Sequence, residues 1–227
     1  MSMKRGILCL TLMAFFALPA LAAAEVHGVY VAPKFLVGIQ DSGQLHRTNI
    51  SKEGVDQYSQ VVFGGALALG YNFGPKFGFP IRTEVEYALR SNSSHDWDGW
   101  GGGNHWDTRH TTNISTLFFN AYFDIDTKTP LTPYIGGGLG TSFTYTGMKG
   151  EVDGVTVLDR NRHDTTFAWN AGGGLAYAFT ENVAADVGYR FIGTGCRETK
   201  FTAGGERVKI ASVPYINEFY AGLRLTF

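Results

Sequence analysis

The sequence predicts an all-β fold: an eight-stranded antiparallel up-and-down transmembrane β-barrel, preceded by a cleavable signal peptide. Three observations carry that expectation. Large apolar side chains recur at every second position in eight segments, glycine and charge share the opposite face, and long and short connections alternate between the segments.

At the N-terminus, Lys4 and Arg5 precede an apolar run from Gly6 to Leu18, then Pro19 and the small residues Ala20, Ala22, Ala23 and Ala24. This order of charged, apolar and small residues marks residues 1–24 as a signal peptide, with cleavage expected before Glu25, a cut one or two residues earlier being equally readable. The run is shorter than the ~20 residues a helix needs to cross a bilayer. Residues 25–227 then form one domain. Without Lys4 and Arg5 the 19 basic residues become 17 against 20 acidic, a net charge of −3 that gives no footprint for nucleic acid. Cys9 falls in the signal run, so the lone Cys196 has no intramolecular partner for a disulfide. No stretch of the mature chain is apolar for long enough to form a transmembrane helix.

The eight segments fall at about 28–38, 61–73, 81–90, 113–125, 133–146, 165–179, 183–192 and 212–227. The sixth is the clearest. There Phe167, Trp169, Ala171, Gly173, Leu175, Tyr177 and Phe179 alternate with Ala168, Asn170, Gly172, Gly174, Ala176 and Ala178. In the second, Phe63, Leu67, Leu69, Tyr71 and Phe73 alternate with Gly64, Ala66, Ala68, Gly70 and Asn72. The third shows what else the small-residue face carries, because Thr83, Val85, Tyr87 and Leu89 alternate with Arg82, Glu84, Glu86 and Arg90. In the seventh, Val183, Val187, Tyr189 and Phe191 alternate with Asp186 and Arg190.

Aromatics are therefore expected on one face, with charge and glycine on the other. A soluble barrel would turn its charges outward. In lipid the arrangement inverts, since a Lys or Arg at the bilayer midplane costs roughly 2–4 kcal/mol. The inward set is then Lys34, Arg82, Glu84, Glu86, Arg90, Asp124, Asp186, Arg190, Glu218 and Arg224, balanced between acid and base as a self-paired, plugged lumen requires.

The connections after segments one, three, five and seven are long and polar, whereas Gly74–Pro80, Asp126–Thr132 and Thr180–Asn182 are short. Strict alternation suits a barrel with one end in the periplasm and the other outside the cell. An even strand number puts both termini at the short-turn end. Pro33 removes a ladder donor inside the first segment and is expected to mark a bulge or a shifted boundary.

These residues resemble the opacity-protein and outer-membrane-protein-A-like family of small bacterial barrels and surface antigens. The matching pieces are Gly70-Tyr71-Asn72-Phe73, Arg82-Thr83-Glu84-Val85-Glu86-Tyr87, Asn120-Ala121-Tyr122-Phe123-Asp124, Pro133-Tyr134-Ile135-Gly136-Gly137-Gly138-Leu139-Gly140, Val187-Gly188-Tyr189-Arg190-Phe191 and Leu223-Arg224-Leu225-Thr226-Phe227. They cover most strands and none of the loops. The resemblance implies a Gram-negative outer membrane, contact with its lipid and lipopolysaccharide, and insertion by the barrel-assembly machinery through a final strand bearing Phe219, Leu223, Leu225 and Phe227. It implies exposure as a surface antigen and fixes no activity. No periplasmic cell-wall-binding domain is expected after Phe227.

The second long loop, Ser91–Thr112, holds His95, His105 and His110 with Asp96, Asp98 and Asp107, but without a defined ligand spacing, so no metal site is expected. Its tryptophans Trp97, Trp100 and Trp106 suit sugar stacking, partner contact or rest at the membrane interface. His95-Asp96, His110, His163-Asp164 and Ser115 lie near the outer rim, yet form no nucleophile, base and orienter set, so no catalytic residue is assigned. The reading is a monomeric structural or surface-interaction barrel of the adhesin or antigen type, without cofactor. It would meet a host or surface ligand through the loops Ile39–Gln60, Ser91–Thr112, Gly147–Asp164 and Gly193–Ala211. A small low-conductance porin is the first alternative, and a lipid- or peptide-hydrolysing barrel enzyme the second.

Overall fold

The computed structural model describes residues 28–41, 46–48, 59–101, 104–152, 155–195, 197–203 and 206–227. The signal segment 1–24 and Cys196 lie outside the described residues, and parts of the hairpins farthest from the termini are described by their backbone alone.

Alternation in the sequence becomes strand in the structure. In chain order the strands are β1 (Val29–Asp41), β2 (His46–Thr48), β3 (Ser59–Asn72), β4 (Ile81–Arg90), β5 (Ser93–Gly101), β6 (Asn104–Asp124), β7 (Leu131–Val152), β8 (Val155–Ala178), β9 (Val183–Thr194), β10 (Arg197–Ala203), β11 (Glu206–Ser212) and β12 (Tyr215–Thr226). Nine of them form one antiparallel sheet in the order β4, β3, β1, β12, β9, β8, β7, β6, β5, and a β4–β6 pairing closes the first eight into a barrel. Closure removes the sheet edge, whose unpaired amides and carbonyls hydrocarbon could not satisfy. Among the described residues no helix is long and apolar enough to cross a membrane.

The short connections are built by local turn chemistry. A one-turn helix, α1 (Gly74–Phe77), has Pro75 at its start and ends at Gly78, whose left-handed φ of 70° suits a residue without Cβ. In the next turn the Asp126 carboxylate accepts the Lys128 N–H at 2.8 Å, holding Lys128 at φ 56°. The first described residues and the C-terminus meet at this end. Gly28 N–H donates to the Phe227 carbonyl at 3.3 Å, and Phe227 N–H donates to that of Val29 at 2.9 Å.

Pro33 produces neither a bulge nor a boundary. β1 runs through it without a register shift, with Val31 facing Leu225 and Lys34 facing Gly222 on β12. What lapses is the ladder itself, at Ala32 and Pro33 on the β12 side only; toward β3, Pro33 faces Leu67 in unbroken register.

Outward side chains are apolar along the barrel, among them Phe35, Leu67, Leu69, Phe119, Leu139, Phe167 and Phe219. Aromatics mark two levels of this wall. Near the short turns, Tyr71, Phe73 and Phe77 contact in series, and Tyr177 meets Phe179. Toward the other end Trp169, Phe191 and Tyr215 do the same, with rings 5.6 Å apart at each step. Two such girdles are how a transmembrane barrel registers on the two interfaces.

The strict division of aromatics from glycine needs correction, because Tyr30, Tyr122, Tyr134, Tyr220 and Phe118 are buried inside. Each tyrosine sits opposite a glycine of the adjacent strand, in the pairs Tyr30–Gly70, Tyr122–Gly136, Tyr134–Gly174 and Tyr220–Gly188. A Cβ on any of these glycines would fall between 2.3 and 2.6 Å from the tyrosine. The glycines thus make room for specific rings, beyond relieving a narrow lumen.

The second correction concerns the long loops. Ser91–Thr112 is mostly the hairpin β5–β6, and Gly147–Asp164 is the top of the hairpin β7–β8. In the region Gly193–Ala211, β10 and β11 pair with each other, and β11 also pairs with β2 from the region Ile39–Gln60. Trp97, Trp100 and Trp106 therefore stand on strands β5 and β6, where Trp97 faces Thr108, Trp100 faces His105 and Trp106 faces Gly99. Their side chains are outside the described set.

Candidate functional site

Two features of the molecule carry chemistry: the polar interior and the hairpins at the end away from the termini. The interior is built by alternate residues of β1, β4, β6, β9 and β12, and all ten charges singled out from the sequence lie on that face. Eight are buried, while Asp124 and Arg224 are half-buried near the short-turn end.

They connect in a chain of alternating sign. Arg82 Nε donates to both oxygens of Asp124 at 2.9 and 2.7 Å, and its Nη1 lies 3.8 Å from Glu84. Lys34 Nζ bridges Glu84 and Glu86 at 2.7 and 2.8 Å. Arg190 then bridges Glu86, at 2.6 Å from Nη1, and Glu218, at 2.8 Å from Nε. Finally Arg90 grips Glu218 with Nε at 2.6 Å and Nη2 at 3.1 Å, and its Nη1 donates to Thr116 at 3.2 Å. Asp186 and Arg224 stand beside this chain, 3.9 Å apart.

Sequence reasoning found the charges and missed what insulates them. Tyr122 lies under Lys34 and Arg82, Tyr134 under Arg82, Tyr220 under Lys34 and Arg190, and Tyr30 under Arg224, with cation to ring-centre distances of 4.9–5.8 Å. Tyr30 also donates to Glu84 at 3.0 Å. Toward the outer end the charges give way to an apolar layer of Ile114, Phe118, Ala168, Ile192 and Ile216. Along the interior, ion pairs are thus followed by a cluster of apolar side chains.

At the hairpins, β6, β7 and β8 have 21, 22 and 24 residues, against 10 for β4 and 13 for β1. Ion pairs lie along their exposed faces: Arg109 with Asp96, Lys149 with Glu151 and Arg162 with Asp164, at 2.8, 2.6 and 2.8 Å. The Lys149 hydrogen bond holds the Glu151 carboxyl below its ordinary range. Arg109 and Lys149 face one another across β6 and β7, a like-charge juxtaposition offset by the carboxylate each one holds.

Among the described side chains, the rim residue His163 does not converge with a nucleophile. His163 packs against Tyr145 with ring centres 5.0 Å apart, Asp164 binds Arg162, and the Ser115 hydroxyl points to Asn113 at 3.4 Å. His95 faces His110 in the β5–β6 register, and their side chains are outside the described set. Among the described residues no group of three His, Cys, Asp or Glu side chains is placed to hold a metal ion. Of the final-strand residues, Phe219 and Leu223 are exposed outward on β12, with Leu225 and Phe227 half-buried beyond them.

Comparison with known proteins agrees with this architecture. The family model described as "Outer membrane protein beta-barrel domain" matches residues 8–227. Outer membrane protein PagN of Salmonella typhimurium is 27% identical over 184 residues, covering 76% of this chain and 77% of PagN. Among solved structures, a major outer membrane protein from Thermus thermophilus aligns with TM-score 0.54 at 14% identity, covering 88% of this chain and 100% of that one. The outer membrane protein OprG from Pseudomonas aeruginosa aligns with TM-score 0.51 at 15% identity, covering 88% and 96%.

Proposed function

Because this chain belongs to the outer membrane protein β-barrel family and resides in the outer membrane of a Gram-negative cell, we propose that it is a surface-interaction barrel. Its barrel would be a closed anchor and its outer hairpins the working part. The observation that carries this reading is strand length. A tilted strand of about 9–11 residues crosses the hydrocarbon, so roughly half of β7 and β8 stands beyond it. That half is a continuous sheet rather than a set of flexible loops. A pre-ordered sheet pays little ordering entropy on contact, which favours recognition over mere shielding.

The test compares cells displaying the full chain with cells displaying a version whose hairpins β5–β6 and β7–β8 are shortened to tight turns near Asn113 and Thr144. Both should migrate as folded barrels before boiling. Adherence to a host-cell monolayer is expected to fall to background in the shortened form; equal adherence would overturn the reading.

The anchor reading includes a plugged lumen, supported by the ion-pair chain and by the apolar layer of Ile114, Phe118, Ile192 and Ile216. In planar bilayers the refolded protein is expected to show no steady open state. A stable, large single-channel current would refute the plug and favour a porin.

A further inference from the structure

The seam between the first and last strands carries an unpaired acceptor on the membrane-facing wall. Phe227 N–H donates to the Val29 carbonyl, which fixes the odd-numbered residues of β1 as those whose amides point toward β12. Pro33 is one of them, and proline has no N–H to give. In the observed register Pro33 faces Leu223, so the Leu223 carbonyl receives no bond from the residue opposite. This is why the ladder lapses there and resumes at Lys34 and Gly222.

At the same place the wall carries a shallow, open depression lined by Pro33, Lys34, Phe35, Ala221, Gly222 and Leu223. Phe35 and Leu223 are exposed on the apolar belt and Ala221 leaves the middle shallow, whereas Gly222 faces the lumen, where a Cβ would meet the Lys34 side chain at 2.9 Å. In hydrocarbon no water competes for the carbonyl, so leaving it unsatisfied is costly. An occupant that brings its own donor is favoured over one that does not.

We propose that this seam binds a long acyl chain carrying a hydroxyl group part-way along its length. The chain lies in the depression, and its O–H donates to the Leu223 carbonyl. Depth sets where the hydroxyl must be. Four residues separate Leu223 from Phe227, and at about 3.4 Å per residue along a strand tilted by about 40° the carbonyl sits roughly 10 Å inside the periplasmic boundary. A hydroxyl beside the carboxyl head would stay near that boundary. One near the middle of an eighteen-carbon chain reaches the carbonyl.

The full chain, refolded in detergent, is incubated with equal amounts of octadecanoic acid, octadecanoic acid hydroxylated at mid-chain, and octadecanoic acid hydroxylated beside its carboxyl. Retained ligand is counted by native mass spectrometry. The mid-chain alcohol is expected to be retained about ten-fold better than either competitor, as one buried hydrogen bond would give. Pro33→Ala restores the missing N–H without altering the lumen, and should erase the preference while raising the unfolding midpoint. Ala221→Leu fills the depression but leaves the carbonyl, and should lower retention of all three acids. Equal retention of the three by the native chain, a preference for the carboxyl-proximal hydroxyl, or a preference that survives Pro33→Ala overturns the proposal.

Discussion

Replacing Glu218 by Leu is expected to lower barrel stability by about 3–5 kcal/mol, the cost of stranding a buried charge. Glu218 is 0% exposed and holds two guanidinium groups, Arg90 and Arg190. Once it is gone, Arg190 keeps Glu86 at 2.6 Å, but Arg90 keeps only neutral acceptors, Thr116 and the Ile114 carbonyl. The penalty should therefore be traceable to Arg90 alone. In the double variant Arg90→Met with Glu218→Leu, charge balance returns and most of the loss should be recovered, because a buried ion pair can give way to well-fitted apolar groups. Urea unfolding of the refolded barrel in lipid vesicles, followed by gel mobility, measures the native form, Glu218→Leu, Arg90→Met alone and the double variant. If the two single losses simply add in the double variant, the chain of ion pairs is not a coupled unit. Asp96→Leu is the surface control. It breaks the exposed pair with Arg109 and should leave the midpoint where it was.

That experiment also marks how far sequence alone could see. The residue types of the network were legible because Arg82, Glu84, Glu86 and Arg90 alternate with Thr83, Val85, Tyr87 and Leu89 in one strand. Who pairs with whom was not, since the Arg90–Glu218 contact joins residues on opposite sides of the lumen and depends on the shear of the closed sheet. The inward tyrosines were hidden for a related reason. An aromatic in a transmembrane strand reads as lipid-facing, and the signal to the contrary is a glycine directly opposite, as Gly188 is to Tyr220. That signal exists only once the register is known.

Strand ends differ in the same way. At the short-turn end, Gly74-Pro75, Asp126 and Asn182 interrupt the pattern, and the expected boundaries fall within about two residues of the observed ones. At the other end β6 begins at Asn104, well before its expected start near residue 113. Beyond the hydrocarbon both faces of a strand meet water, so Asp107, Arg109, Thr111 and Asn113 alternate with residues no less polar, such as Thr108, His110 and Thr112. Period two disappears although the strand continues, and the segment then reads as a loop.

The inversion beneath the whole fold can be tested at two residues of similar exposure. Ile135 on β7 is 61% exposed and Val155 at the start of β8 is 65% exposed, so on a water-soluble barrel arginine would be tolerated at either. Their surroundings differ. Ile135 faces Phe123 and Gly173 between the two aromatic girdles, whereas Val155 faces Val152 at the tip of the β7–β8 hairpin. In a bilayer Ile135→Arg places a guanidinium near the midplane, at a cost of roughly 2–4 kcal/mol, and Val155→Arg places one in water at almost none. Unfolding midpoints of the two variants in lipid vesicles should separate by that amount. In detergent, where the apolar layer is thin and yields to water, the gap should narrow. Matching midpoints in vesicles would mean that the apolar wall does not face acyl chains. The opposition of an outward Ile135 to an inward Glu86 would then have to come from some other asymmetric surrounding, such as a protein partner covering the wall.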